Sequence, residues 1–469
     1  MRKNREQQKN GIGKQLDLFA DRERPVSQPA GGTSEVSSTG VELLSQLEKQ
    51  RTLTEGLLDK VVDYENLHRA IKRVIKNRGN AGVDQMKVED LGVWLQRNIH
   101  SFSREVLEEH YQVKPVRKAI IRKPDGGERL LGIPTVIDRM LQQSIHQVLN
   151  TYYDPHFSES SFGFRPGRNA HQAIKQACNY IKSGKPWVVD IDLEKFFDKV
   201  NHDRLMQRLS KGIGDKRLLR LIKSYLRAGI MSDGLVEQRT AGTPQGSPLS
   251  PLLSNIVLDE LDRELESRGH SFCRYADDCN IYVKSKKAAE RVMASIIKFL
   301  EQNLKLKVNR KKSGVRHCSE AKFLGYTLLP EGNVRISDTA IKRLKDKVRQ
   351  ITKRNRGVKF EQVITELNSV ILGWSNYFGL ANRWLSNLRA IDGWIRRKLR
   401  CYRLKQCGRK YTIVKFLGNL GIPENTSWNV VMYSQGWWAM SLKQAVGMAM
   451  GINWFAQHGL LSLHLRIAR

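Results

Sequence analysis

Two short apolar runs of the chain carry carboxylates, and they constrain the fold more than any other feature. Residues 187–193 read Trp-Val-Val-Asp-Ile-Asp-Leu, a short β-branched run typical of a buried strand. Period-two geometry places Asp190 and Asp192 on one face of that strand. Residues 274–283 predict a tight hairpin whose turn presents Asp277 and Asp278. The sequence therefore predicts neighbouring strands that gather several acids.

The acids predict a cation site. Asp192, Asp277 and Asp278 are the minimum needed to hold two Mg²⁺ ions about 4 Å apart, an arrangement suited to phosphoryl transfer. We expect one of Asp190 and Asp192 to serve the metal and the other to form a hydrogen bond or face solvent. A solvated turn is the commoner fate of an isolated Asp-Asp pair, but apolar flanks would leave these acids close together and uncompensated. The pattern favours a nucleotidyl transferase.

The net charge indicates a polyanionic partner. Eighty Lys and Arg residues against forty-seven Asp and Glu residues give +33, which suits nucleic acid. Residues 341–410 hold nineteen of the basic residues and four acidic ones. A membrane-surface protein fits less well, because aromatic rings that can stack on bases are interleaved with the cations. These rings are Trp374, Tyr377, Phe378, Trp384, Trp394 and Tyr402.

Neither a membrane span nor a zinc site is predicted. No stretch approaches the roughly 20 apolar residues of a membrane helix, and the N-terminus lacks an apolar signal core. The six cysteines contain no Cys-x-x-Cys pair, so we expect reduced thiols. A cytoplasmic location is expected.

Residues 1–50 predict a disordered tail, because Gly, Ser, Gln and charged residues give little to bury. One island stands out in it, formed by Gln15, Leu16, Asp17, Leu18 and Phe19. It resembles the peptide by which bacterial DNA-handling proteins dock on the replicative sliding clamp. The alternative is a weakly amphipathic turn.

The remaining patterns predict an α+β fold. Strands around residues 116–122 and 128–133 form a basic hairpin with Arg117, Lys123 and Arg129 near its tip. Helical spacing recurs further along the chain. The predicted helices cover residues 61–75, 137–152, 170–181, 288–304, 341–351, 360–377 and 384–404.

The order of the motifs resembles that of group II intron-encoded reverse transcriptases with a maturase region. Residues 192–198 and the Tyr-Ala-Asp-Asp run at 275–278 are similar to the two catalytic motifs of that family, and the likeness extends from about Leu57 to the C-terminus. It implies a right-hand polymerase, with fingers and an antiparallel palm sheet in residues 51–340. A helical thumb or maturase domain would occupy residues 341–469.

The resemblance implies the metal ligands. Asp192, Asp277 and Asp278, with the Leu193 carbonyl, would hold two Mg²⁺ ions, for which Mn²⁺ could substitute. One ion would activate the primer 3′-hydroxyl and the other would neutralise the pyrophosphate.

The resemblance also implies residues that contact the nucleotide and the nucleic acid. Phe197 would exclude a 2′-hydroxyl, with Phe196 as the competing assignment, and Lys311 competes with Lys312 for the leaving phosphates. The dNTP-binding set is Lys123, Arg129, Phe197, Gln245, Gly246 and Lys312, and the template- or primer-binding set is Arg117, Arg165, Tyr275, Phe323, Leu324 and Gly325.

In the C-terminal region, residues 371–378 are similar to the maturase signature. We expect Trp374 and Tyr377 to be core residues there. The residues expected to bind RNA phosphates are Arg396, Arg397, Lys398 and Arg400.

These features predict an RNA-directed DNA polymerase that binds its group II intron RNA and assists splicing and mobility. No endonuclease motif is evident before Arg469, so the primer would come from elsewhere, with replication forks as a source. Expected partners are the intron RNA, an RNA template with a DNA primer, dNTPs, target DNA and, as a candidate, the sliding clamp, in a bacterial cytoplasm at the nucleoid. The alternatives are a domesticated reverse transcriptase of DNA repair or phage defence, and an RNA-binding maturase acting mainly in splicing.

Overall fold

The computed structural model describes residues 54–122, 126–232, 235–237, 241–244, 246–381 and 385–468. The predicted tail with its clamp-like peptide, Lys123 and Gln245 lie outside these ranges. Residues 54–468 form one unit.

Helices begin this unit and form its first layer. The Asp63 side chain accepts a hydrogen bond from the Asn66 amide and begins the second helix, and Thr135 caps the fourth in the same way through Asp138. Their apolar faces pack on one another. The helices are α1 (Leu57–Val62), α2 (Tyr64–Lys76), α3 (Leu91–Leu107) and α4 (Val136–Tyr153).

The predicted basic hairpin is present and belongs to a four-stranded sheet of order β2-β1-β4-β5. β1 and β2 pair antiparallel from Arg117 opposite Ile133 to Arg122 opposite Glu128. β4 adds to β1 in parallel. The strands are β1 (Val116–Arg122), β2 (Glu128–Ile133), β4 (Ile230–Ser232) and β5 (Leu235–Glu237).

A second four-stranded sheet, of order β6-β7-β3-β8, holds the acid-bearing strands, and all its pairings are antiparallel. Val189 and Ile191 of β3 face one hydrophobic core, whereas Val188 faces another. Because both faces are covered, apolar residues run on without alternation. The strands are β3 (Trp187–Ile191), β6 (Ser271–Tyr275), β7 (Asp278–Val283) and β8 (Gly314–His317).

Six helices accompany this second sheet. The Asn169 and Gln172 side chains form a capping box at the start of α5, and Asp215 caps α8. Residues of α7, α8, α9 and α10 join the first core, and residues of α5 join the second. The helices are α5 (Ala170–Lys182), α6 (Phe196–Lys199), α7 (His202–Gly212), α8 (Lys216–Arg227), α9 (Ser250–Ser267) and α10 (Lys286–Gln302).

The C-terminal region is helical after a small sheet, β9 (Lys322–Phe323), β10 (Tyr326–Leu328) and β11 (Val334–Ile336). Its helices share a hydrophobic core with Val188 and Tyr282 of the palm. The division at residue 340 stays a prediction. The helices are α11 (Asp338–Ile351), α12 (Phe360–Tyr377), α13 (Leu385–Cys407), α14 (Lys410–Asn419), α15 (Glu424–Met432), α16 (Gly436–Met440), α17 (Gln444–Ala449), α18 (Ile452–Gln457) and α19 (Leu463–Ile467).

Candidate active site

The pairing of β3 with β7 brings the predicted acids together. Ile191 lies opposite Cys279 in an antiparallel ladder. The ladder ends at this pair, and Asp192 follows directly after it, close enough to Asp278 to repel its carboxylate. Asp277 comes from the adjacent β6–β7 turn, which closes where Tyr275 pairs with Asp278. Two strands and one turn thus supply all three acids.

Electrostatic repulsion marks these acids as one cluster. Burial first, then repulsion from Asp192, raises the pKa of Asp277, while Arg129 and Lys312 act against the rise. Burial and repulsion from Asp277, Asp192 and Asp190 raise the pKa of Asp278 to about 7. Solvent reaches the Asp278 side chain, so desolvation is limited there and repulsion between the acids contributes much of the rise in its pKa. A cation placed among these groups would relieve that repulsion.

The donor set fits a hard divalent cation by its chemistry, since all three side chains offer carboxylate oxygens. As the side chains are placed, however, no three His, Cys, Asp or Glu residues of the described ranges stand close enough to coordinate one ion. The carboxylates would therefore have to turn toward each other on binding.

Asp190 has a different partner. Its carboxylate accepts a 2.7 Å hydrogen bond from Arg316 of β8. Burial raises the Asp190 pKa to about 6, and Arg316 limits that rise. Of the two acids on β3, Asp190 is thus ion-paired, and Asp192 extends toward the Asp277–Asp278 turn. The sequence patterns did not predict this role of Arg316.

Lys312 lies beside the cluster. Its Nζ is 3.8 Å from a carboxylate oxygen of Asp192, and its side chain is mostly exposed. The Ser313 hydroxyl accepts a hydrogen bond from the Asp192 amide, which fixes the segment that carries Lys312. Among the two lysines left open by the sequence, the structure gives a contact with the acids to Lys312.

Of the two predicted cations on β1 and β2, Arg129 lies near the acids, whereas Arg117 forms hydrogen bonds to a neighbouring loop. Arg129 is exposed on β2 and acts electrostatically on Asp277. Arg117 donates from two guanidinium nitrogens to the Ala81 carbonyl, at 3.0 and 2.7 Å. Arg117 therefore ties β1 to the preceding loop, a packing role that the sequence did not predict. Its contact with the template stays a prediction.

The two phenylalanines of the first motif differ in burial. Phe196 is 2% exposed and belongs to the core, whereas Phe197 is half-buried. The Thr243 amide donates a 2.6 Å hydrogen bond to the Phe197 carbonyl, which holds this residue against the loop that precedes α9. In that loop Gly246 has φ of +104°, and a Cβ there would lie 3.3 Å from the Gly132 carbonyl.

The predicted template contact of Arg165 is wrong. Its side chain is 4% exposed and pairs with Asp154 at 2.8 Å. Its remaining nitrogens donate to the carbonyls of Asp154, Ser158 and Ser161. Because every nitrogen donates inside the loop and the side chain is almost completely buried, Arg165 braces residues 154–165 instead of facing a nucleic acid.

The predicted primer-supporting turn joins the palm to α12. Leu324 and Gly325 connect β9 and β10 with φ values of +50° and +82°. The Tyr377 hydroxyl donates to the Leu324 carbonyl at 2.8 Å, and a Cβ on Gly325 would press on the Phe378 ring. Tyr377 is 37% exposed, so it is not the core residue that the sequence predicted.

The thumb cations fall into two groups. Arg400 donates to the carbonyls of Met450 and Gly447, and Arg397 donates to the Trp438 carbonyl while its guanidinium stacks 3.4 Å from the Trp438 ring centre. Arg400 thus packs α13 against α17, a structural role that the sequence did not predict, and its binding of RNA stays a prediction. In the described residues, Arg396 and Lys398 form no ion pair.

Two family models match the chain. A model described as reverse transcriptase (RNA-dependent DNA polymerase) matches residues 121–328, and one described as the group II intron maturase-specific domain matches residues 341–417.

Within the described ranges no helix is both long and apolar enough to cross a bilayer.

Individual proteins are also similar to this chain. Protein YkfC of Escherichia coli (strain K12) is 31% identical over 61% of this chain and 87% of its own length. The group II intron-encoded protein LtrA of Lactococcus lactis subsp. cremoris is 28% identical over 58% of this chain and 62% of its own length, so the chain spans less than two thirds of that relative. A solved partial Cas6-RT-Cas1--Cas2 complex is similar at 29% identity over 52% of this chain and 42% of that one, with a TM-score of 0.35.

Fold, site and family models together define an RNA-directed DNA polymerase, a class of enzyme that uses divalent metal ions. Within that class, the chain belongs to the family of group II intron-encoded reverse transcriptases with a maturase domain.

Proposed function

We propose that this polymerase copies group II intron RNA into DNA and also binds that RNA to assist splicing and mobility. The observation that carries the proposal is the β3–β7 register, which sets Asp192 opposite the Asp277–Asp278 turn. The maturase-specific match over residues 341–417 supports the RNA-binding part.

In this proposal Asp192, Asp277, Asp278 and the Leu193 carbonyl hold two Mg²⁺ ions. Bound there, the ions stabilise the charge that develops on the attacking and leaving oxygens of phosphoryl transfer. The protein's own contribution is to hold three carboxylates at one sheet end, where burial and mutual repulsion raise the pKa of Asp277 and Asp278 and a cation would be favoured.

The incoming nucleotide would lie between the fingers and the acids. Arg129 and Lys123 would bind the triphosphate, and Lys312 would contact the leaving phosphates from the side of the acids. Phe197, half-buried beside the backbone of Thr243, closes the space next to the sugar and excludes a 2′-hydroxyl. Gln245 and Gly246 lie beneath the nascent base pair, and Tyr275 with residues 323–325 supports the primer end.

RNA would be held by cations of the thumb, of which Arg349 also pairs with Asp346 and the others form no ion pair within the described residues. Arg396 and Lys398 project from α13, and Lys342, Lys345 and Arg349 line a groove of about 620 Å³ between α11 and α13 with Trp394 at its side. Phosphate contacts of this kind give binding that weakens steeply with salt.

The proposal includes mobility with a primer made by other means, such as a nascent strand at a replication fork. The peptide Gln15–Phe19 supports this by its likeness to clamp-binding peptides. A pull-down with the sliding clamp tests it, using the intact chain and a Leu18→Ala, Phe19→Ala variant. Binding that the variant loses agrees with the proposal, and no binding by the intact chain contradicts it.

Primer extension on RNA and DNA templates tests the catalytic part. The intact enzyme should extend a DNA primer on RNA, and Asp277→Ala should show no extension above background. Equal extension by both proteins would overturn the assignment of the acids. Splicing of the flanking intron RNA, measured with and without protein at low magnesium, tests the maturase part separately.

A further inference from the structure

Arg274 is a completely buried cation that stands at the end of β6, directly before the Tyr275–Asp278 turn. All five donor hydrogens of an arginine side chain have acceptors here. Nε and Nη2 donate to the two carboxylate oxygens of Asp262 at 2.7 and 2.6 Å. Nη2 also donates to the Ser161 hydroxyl at 2.7 Å, and Nη1 to the Asn255 side chain at 3.0 Å and the Ala276 carbonyl at 2.9 Å.

These bonds connect three parts of the palm. Asp262 and Asn255 lie on α9, Ser161 lies in the loop before α5, and Ala276 belongs to the turn that presents the acids. The backbone of Arg274 adds two bonds to that loop, with Ser160 and Phe162, each 2.9 Å long. A single residue thus fixes helix, loop and turn to one another.

The turn itself needs such support. Ala276 has φ of +59°, a left-handed conformation that is unfavourable for a residue with a Cβ atom. Gly163 of the loop packs so closely that a Cβ on it would lie 2.2 Å from the Ala276 amide nitrogen. Asn255 donates to the Gly163 carbonyl at 2.9 Å, so it braces the same contact from α9.

We propose that Arg274, with Asp262 as its counter-ion, is a positioning residue that orients the Asp277 and Asp278 carboxylates by holding the Ala276 carbonyl. The inference rests on the proposed role of those two acids. Arg274 itself faces α9 and the loop and contacts no substrate. Its part is to hold the unfavourable turn in the one conformation that directs both acids toward Asp192.

The chemistry of the contact requires arginine. A lysine offers three donors around one point charge and cannot reach Asp262, Ser161, Asn255 and Ala276 together. Asp262 is as fully buried as Arg274, and it is needed because a buried guanidinium without a counter-charge would be strongly unfavourable.

The test compares Arg274→Lys with Arg208→Lys in the full-length enzyme. Arg208 also pairs with a carboxylate of α9, Asp259, one turn from Asp262; it is partly exposed, pairs with Glu260 as well, and has no hydrogen bond to the loop or the turn. We expect Arg274→Lys to lower kcat by about 10- to 100-fold, because small displacements of reacting groups have effects of that size. The KM for template-primer should change less than about two-fold, because uniform substrate binding is retained. The control should stay within about two-fold of wild type in both constants.

A second readout does not involve turnover. Mn²⁺ binding followed by electron paramagnetic resonance should be weaker in Arg274→Lys and unchanged in Arg208→Lys. Thermal unfolding of each variant fixes a temperature at which all are folded. Unchanged Mn²⁺ affinity overturns the proposal even if kcat falls, since the carboxylates would then still be in place, and so does a kcat equal to that of the control.

If Arg274→Lys does not fold, Asn255→Ala decides. It leaves the Arg274–Asp262 pair intact, but it removes one of the two acceptors of Arg274 Nη1 and the bond that braces Gly163 against Ala276. A lower kcat with weaker Mn²⁺ binding supports the proposal, and wild-type values of both reject it. Asp277→Ala distinguishes failure of the metal-binding role from failure of the positioning role. If Asp277→Ala remains active, the metal-binding role of the acids is wrong. If Asp277→Ala is inactive and Arg274→Lys is fully active, only the positioning role of Arg274 is wrong.

Discussion

The Arg316 guanidinium donates a 2.7 Å hydrogen bond to the Asp190 carboxylate across the β3–β8 pairing, whereas Asp192, directly after the end of β3, lies 3.8 Å from the Lys312 ammonium. Two acids that are two residues apart therefore have different environments. The charge of Asp190 is neutralised by Arg316 on the neighbouring strand. Asp192 instead lies near the turn that carries Asp277 and Asp278.

The first prediction follows from this difference. Asp192→Asn should lower kcat by at least about 1,000-fold, because metal-assisted charge stabilisation contributes several kcal/mol. Asp190→Asn should keep kcat within about five-fold, because it removes only a partly exposed ion pair of modest energy. Steady-state primer extension measures both. Equal losses would show that the acids act together.

Lys312 and Lys311 can be separated in the same assay. Lys312→Ala should lower kcat/KM for the nucleotide by about 10- to 100-fold, the size expected for one charge-assisted contact. Lys311→Ala is the matched control, since Lys311 is exposed and forms no ion pair in the described residues. A larger effect at Lys311 would reverse the assignment.

Substitution of Phe197 and of Phe196 should have different effects. Phe197→Ala should reduce discrimination against ribonucleotides by about 10- to 100-fold, the range that a single steric contact supplies. Phe196→Ala should instead destabilise the fold by about 3 to 5 kcal/mol, because its ring is in the core. Competition between dNTP and rNTP measures the first effect, and denaturant unfolding the second. Ribonucleotide incorporation by folded Phe196→Ala would contradict the assignment.

Arg165→Met tests the corrected role of Arg165. Removing this guanidinium leaves the Asp154 carboxylate unpaired, and breaking a buried pair costs about 3 to 5 kcal/mol. We expect a lower melting temperature with unchanged affinity for template-primer, measured by fluorescence anisotropy below the transition. Loss of affinity in a variant of normal stability would restore the nucleic-acid contact that the sequence suggested.

The stability of the fold should depend on His146. Its half-buried ring has a pKa lowered to about 4, first by burial and then by Arg73, against 6.5 in an unfolded chain. The folded state therefore prefers the neutral ring, and stability is fully present above pH 6.5 and falls as the pH drops toward 4. The loss should be on the order of 2 to 3 kcal/mol. Urea unfolding at several pH values, compared with His146→Gln, measures it; a variant with the same pH slope would assign the dependence to other groups.

Much of the fold followed from local pattern. The predicted hairpin strands coincide with β1 and β2, and the predicted helix over residues 360–377 coincides with α12. Hydrophobic periodicity decides such elements, because a strand or helix must bury one face wherever it packs. The short helices after Lys410 had no prediction, since none is long enough to show a clear period.

The sequence by itself indicated the class of enzyme, and it singled out the acids at 192, 277 and 278 and the strands beside them, because these depend on residue type, spacing and motif order. Only the tertiary structure decided that Asp190 pairs with Arg316, that Arg165 is used up by its own loop, and that Arg274 holds the Ala276 carbonyl. The physical reason is that a charged side chain takes its role from its partners. Those partners come from strands, helices and loops up to 126 residues away in the chain, and only folding brings them together.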